Sequence, residues 1–293
     1  MKKVSDNLMV LPAKAPEKQK PTRKASPLGG LFPNAIAAER KHKIERTGTN
    51  VTSLEERNSE QAGLDRLLRK ELTFENPKEV NLKRVFGLVT KGADPNTTGS
   101  WNYTPLHLAA KNNLPMAVRL LLEHGADPNR VEHNKYTPVY LAARPGHLDV
   151  LNELLKSKVD LDARDEHGHT ALHETVQGNH PDFAKKLVES GARSDILDEN
   201  DQTALHNAAA TGKDEMAKAM LDAGANPNVR DSKNRTPLHW AAESFHHGVM
   251  EHLLDAGADP NIKDNDNFTA LDLAGTKQGK EMLQNRLKKG TLL

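Results

Sequence analysis

Residues 104–110 read TPLHLAA, and a word of the same kind returns every 33 residues: TPVYLAA from Thr137, TALHETV from Thr170, TALHNAA from Thr203, TPLHWAA from Thr236 and TALDLAG from Thr269. A second word keeps the same period: GADPN from Gly92, GADPN from Gly125, GARSD from Gly191, GANPN from Gly224 and GADPN from Gly257. Lys158 stands where one further Gly is due. Each unit predicts two short helices. Thr is an N-cap whose oxygen accepts a backbone N–H. Pro105, Pro138 and Pro237 fall at the first helical position, where no useful donor is lost. Leu106, Ala109 and Ala110 recur at helical spacing, and small Ala lets helices lie close. Nine residues after the Thr stand Asn113, Gly146, Asn179 and Gly212, types that tolerate a left-handed turn. Phe245 in the same place predicts a distorted turn in its unit. The second helix ends on apolar pairs such as Leu121–Leu122 and Leu253–Leu254; Gly then caps it and Pro forbids its continuation. Two residues before each Thr, a finger turn is expected at Asn102, Lys135, Gly168, Asp201, Asn234 and Asn267, with Lys135 the misfit.

Together, the 33-residue period and the TPLHxA word resemble the ankyrin repeat family over roughly residues 64–293. The resemblance implies an all-α solenoid of helix-turn-helix pairs with protruding β-hairpin or finger loops. It also implies that His107, His173, His206 and His239 are structural, bonding across the turn between repeats. On this reading the chain divides into a disordered basic arm (1–52), an N-terminal helical capping unit (53–96), five repeats (97–261) and a C-terminal capping repeat (262–293). In the first cap, Leu64, Leu67, Leu68 and Leu72 form a stripe, and Ser53 with Glu56 suggests a capping box. In the last unit Leu271, Leu273, Met282, Leu283 and Leu287 are expected to face inward.

Composition narrows the function classes. Of 293 residues, 36% are hydrophobic and 4% aromatic, which suits a thin stack better than one thick core. No cysteine is present, which excludes disulfides, thiolate metal sites and a cysteine nucleophile. No apolar run is long enough to span a membrane, and the short patch Leu8–Leu11 is too small for a secretory leader. The net charge of +1 conceals an asymmetry: residues 1–50 carry eleven Lys/Arg against four Asp/Glu, so the remainder is acidic. The expectation is an intracellular, cytoplasmic monomer. KQKPTRK at 18–24 and ERKHKIER at 39–46 would suit nuclear import or an anionic surface, and Ser26 would suit a kinase. A host-cell cytoplasmic effector is an alternative source.

The candidate sites are surface features. His169 and His173 are four apart, but His169 precedes the Thr cap, so no helical metal pair is expected. Asp198, Glu199 and Asp201 read as a solvated turn. No nucleophile, phosphate-loop, kinase or dinucleotide motif occurs, so no enzyme, cofactor or metal is expected. In the ankyrin family, finger tips and inner helices line a groove for protein partners. At the tips stand Trp101 and Tyr103, then His133 and Tyr136, then His167 and His169. Lys111, Asn112 and Arg144 are expected on the inner helices. Trp and Tyr desolvate much area at little entropic cost, so these nine residues are the expected partner contacts. Tyr140 and Trp240, in helix slots, are expected to pack. The expected function is a protein-binding adaptor whose acidic domain favours a basic partner patch. The alternative is a regulator whose basic arm binds nucleic acid or an anionic membrane.

Overall fold

The computed structural model describes residues 54–73 and 80–290. The basic arm, Ser26 and the Ser53 cap lie outside them. The repeat-bearing part belongs to a compact unit covering 51–293. Its described residues form fourteen α-helices in seven successive pairs: α1 (Leu54–Leu72) with α2 (Leu82–Thr90), α3 (Pro105–Lys111) with α4 (Pro115–Glu123), α5 (Pro138–Ala143) with α6 (Leu148–Leu154), α7 (Ala171–Gly178) with α8 (Pro181–Glu189), α9 (Ala204–Thr211) with α10 (Asp214–Asp222), α11 (Pro237–Glu243) with α12 (His247–Asp255), and α13 (Ala270–Leu273) with α14 (Lys277–Gly290). First helices stack on first helices and second on second, which makes a solenoid.

Local chemistry sets each boundary. Thr104, Thr137, Thr170, Thr203, Thr236 and Thr269 are all N-caps in extended conformation. The turn between the two helices is left-handed at Asn113, Gly146, Asn179, Gly212 and also Phe245, whose φ is 60°. The distortion expected at Phe245 is therefore absent; the turn is kept at the cost of an L residue in that region, and the Phe245 ring covers Gly275. Lys135 likewise takes φ 64° like its glycine and asparagine counterparts. At the Lys158 site the helix ends differently: Ser157 N–H and Oγ both donate to Leu154 O.

The core is a double row of small and branched residues. Ala109, Ala110, Ala142, Ala143, Ala208, Ala209, Ala241 and Ala242 are fully or almost fully buried between first helices. Leu121, Leu151, Leu154, Leu187, Met216 and Met220 fill the joints of the second. Leu68 and Leu72 are buried as expected, but Leu67 is 39% exposed, so the α1 stripe is narrower than the sequence suggests.

The four repeated histidines join neighbouring units. In each, Nδ1 accepts from the capping Thr N–H, and Nε2–H donates to a finger carbonyl of the next unit: His107 to Tyr136 O, His173 to Gln202 O, His206 to Arg235 O and His239 to Phe268 O, at 3.0–3.2 Å. The fingers are tight turns; among the described residues no strand is formed. Five are clamped by an acid that the sequence reading took as solvated or passed over. Glu132, Asp165, Asp198, Asp231 and Asp264 stand five residues before each Thr, and one carboxylate oxygen of each accepts two finger N–H groups at 2.7–3.1 Å. Asp198 is 4% exposed, which corrects the expected solvated turn at that residue.

Candidate functional site

The first finger lacks the clamp, because Gly99 takes the acid's place. A Cβ there would meet Arg69 Cδ at 3.2 Å. Without the carboxylate the finger winds into a short turn over Ser100–Asn102, and both Trp101 (φ 59°) and Asn102 (φ 65°) are left-handed. Trp101 is consequently pushed out, 69% exposed. Its ring meets His133 edge-on at 5.3 Å, and its carbonyl accepts from His133 N–H. These two form a ridge on adjacent finger tips.

Inward from the ridge, a groove of about 640 Å³ opens between the fingers and the inner helices α3, α5 and α7. Five of the nine expected contact residues line it: Lys111, Tyr136, Arg144, His167 and His169. A smaller space of about 340 Å³ adjoins it across Lys111 and is lined by Tyr103 together with Arg69 and Leu108. Lys111 Nζ stands 5.7 Å from the centre of the Tyr103 ring. Trp101, His133 and Asn112 line neither space. Asn112 is also engaged elsewhere: its Nδ2 donates to Leu72 O at 2.8 Å, closing the end of α1. Its amide N–H thus serves the joint between units.

One wall of the groove is aromatic: the Tyr136 and Tyr140 rings stack at 4.4 Å with planes 6° apart. Tyr140 occupies the slot that holds His in neighbouring words. Its hydroxyl donates to Asp165 Oδ2 at 2.7 Å instead of bridging to a carbonyl. Burial, reinforced by that carboxylate, keeps the phenol protonated far above its ordinary range. His169 approaches the same carboxylate, with Nδ1 3.6 Å from Asp165 Oδ2 and Nε2 3.5 Å from Asp198. Exposed His167 pairs with Glu199 at 3.0 Å, which lifts its pKa above the ordinary value. No group of three metal-ligating side chains is gathered among the described residues, and His169 lies between carboxylates.

Two acids lie beneath these rings that the sequence does not mark as partner contacts. Asp165 and Glu174 both line the groove and are 6% and 7% exposed. Glu174 stands in a helix position held by Leu108 and Leu141 in the two preceding words; that break in polarity is the signal that could have found it.

Comparisons accord with this architecture. A family model for ankyrin repeats in three copies matches residues 78–165 and 157–231, and a single-repeat model matches 233–265. A search of curated proteins returned no match. Among solved structures, the ankyrin repeat domain of Bcl-3, a member of the IkappaB protein family, is similar at TM-score 0.67 and 29% identity, covering 74% of this chain and 97% of that one. The human ASB11 ankyrin repeat domain is similar at TM-score 0.58 and 25% identity, covering 76% of this chain and 96% of its own. Ankyrin repeats mediate protein–protein interactions, and this chain belongs to the ankyrin repeat family.

Proposed function

We propose that this protein is a non-enzymatic adaptor that grips a partner protein in the groove of its first three full repeats, with the Trp101–His133 ridge as a flanking contact. The observation that carries this reading is the gathering of Tyr136, His167, His169, Lys111 and Arg144 around one open groove beside an exposed Trp. A rigid aromatic pair with a polar rim has the make-up of an interface hot spot. Trp101, held at an exposed finger tip, offers that interface a large aromatic surface.

The test is affinity capture with the full chain and with residues 51–293, followed by calorimetry on the recovered partner. Trp101→Ala and Tyr136→Ala should each weaken binding by about tenfold or more. Unchanged affinity with unaltered circular dichroism would refute the groove. Binding lost with residues 1–50 would instead assign the partner to the basic arm.

A further inference from the structure

Glu174 is a largely buried residue whose carboxylate borders the open groove. Among the described residues no group donates a hydrogen bond to that carboxylate, although the Glu174 backbone N–H donates to Thr170 O. Its nearest cation, Arg144 Nε, is 4.0 Å away, on a side chain 72% exposed to solvent. The neighbouring acid differs: Asp165 is saturated by the His167 and His169 N–H groups and the Tyr140 hydroxyl. The Glu174 carboxylate stands in a helix slot that holds Leu in the two preceding words, and its one ion pair is long and loosely held. A cation entering from outside can bond it more closely than Arg144 does, and the groove is open to admit one.

The surroundings select the kind of cation. The stacked Tyr136–Tyr140 pair, with Leu141 and Pro145, provides aromatic and aliphatic surface beside the carboxylate. A guanidinium suits this better than an ammonium: its planar fork matches a carboxylate, its faces stack on aromatic rings, and it is less strongly hydrated. We propose that the groove's anchor pocket takes an arginine side chain of the partner protein, its guanidinium on Glu174 and its stem against the two tyrosines. Arg144, loosely held and mostly in solvent, swings outward as the partner's guanidinium enters. This inference rests on the groove being a protein-binding site and names what enters it.

The experiment uses the full chain against a phage library displaying random peptides. Selected peptides that compete for the groove, judged by loss of binding to Tyr136→Ala, should share one Arg position. Replacing that Arg with uncharged, isosteric citrulline should weaken binding at least about thirtyfold. Glu174→Gln, which keeps the shape, and Glu174→Leu, which restores the residue of the preceding words, should each cost the Arg peptides a similar factor and leave the citrulline peptides unaffected. Groove-binding peptides with no basic position, or with an acidic consensus read by Lys111 and Arg144, would overturn the arginine anchor and leave the groove reading standing. Selected peptides indifferent to Tyr136→Ala and Trp101→Ala, or no selected peptides at all, would count against both.

Discussion

Acid should unfold this protein through its repeated histidines, well before its carboxylates titrate. Burial holds His107 and His206 at about 4, down from the ordinary 6.5. The geometry adds a second reason: Nδ1 faces the Thr N–H, so an added proton there would meet a donor. Because the folded value is depressed, the unfolded chain binds more protons between 4 and 6.5. Stability is therefore complete above about pH 6.5 and falls as the pH drops towards 4. At about pH 5 each of the two costs about 2 kcal/mol, so the pair removes about 4 kcal/mol. His173, His239 and His147 are lowered by burial as well and push in the same direction. His167, raised by Glu199, opposes them, but on an exposed, screened pair. Against a total stability of roughly 5–15 kcal/mol such a loss is large. Urea unfolding followed by circular dichroism between about pH 7 and about pH 5 measures it. His206→Gln cannot titrate, so its loss over that interval should be smaller by about 2 kcal/mol. A flat wild-type profile, or equal losses in wild type and variant, would refute the assignment.

Further predictions concern individual joints. Tyr140→Phe strips a donor from buried Asp165 and should cost about 2 kcal/mol in denaturant unfolding. Lys135→Gly relieves an exposed left-handed Lys and should raise stability by up to about 1 kcal/mol in the same assay. Lys158→Gly, although it restores the repeated word, should bring no gain and lower stability by up to about 1 kcal/mol, because Lys158 is not left-handed. Arg119→Ala removes two bonds, at 2.9 and 2.5 Å, to the buried Glu153 carboxylate, whose pKa Arg119 chiefly and Lys156 also hold below the usual range; with Lys156 remaining, a loss of about 1–2 kcal/mol is expected, read from the thermal midpoint.

Much of the fold was legible because its rules are local. A Thr cap, a Pro at the first turn and a left-handed Asn or Gly each act within a few residues, and the period repeats them until chance is excluded. Where local expectation failed, neighbours had intervened: Phe245 holds the regular turn with its ring over Gly275. The finger acids escaped notice because an Asp in a polar turn looks solvated until the backbone folds its N–H groups around it.

The sequence by itself determined the repeat, its register and the scarcity of aromatics that made Trp101, Tyr103 and Tyr136 conspicuous, while the structural role of the four histidines came with the family resemblance. Only the tertiary structure decided which of these share a space. Lys111, Tyr136, Arg144, His169 and Glu174 come from three units and meet because stacking at a fixed rotation brings positions about 33 residues apart side by side. The charge of Glu174 and the stacking of Tyr136 on Tyr140 acquire meaning only there, since burial and the distance to a partner belong to the packed stack and to no single repeat.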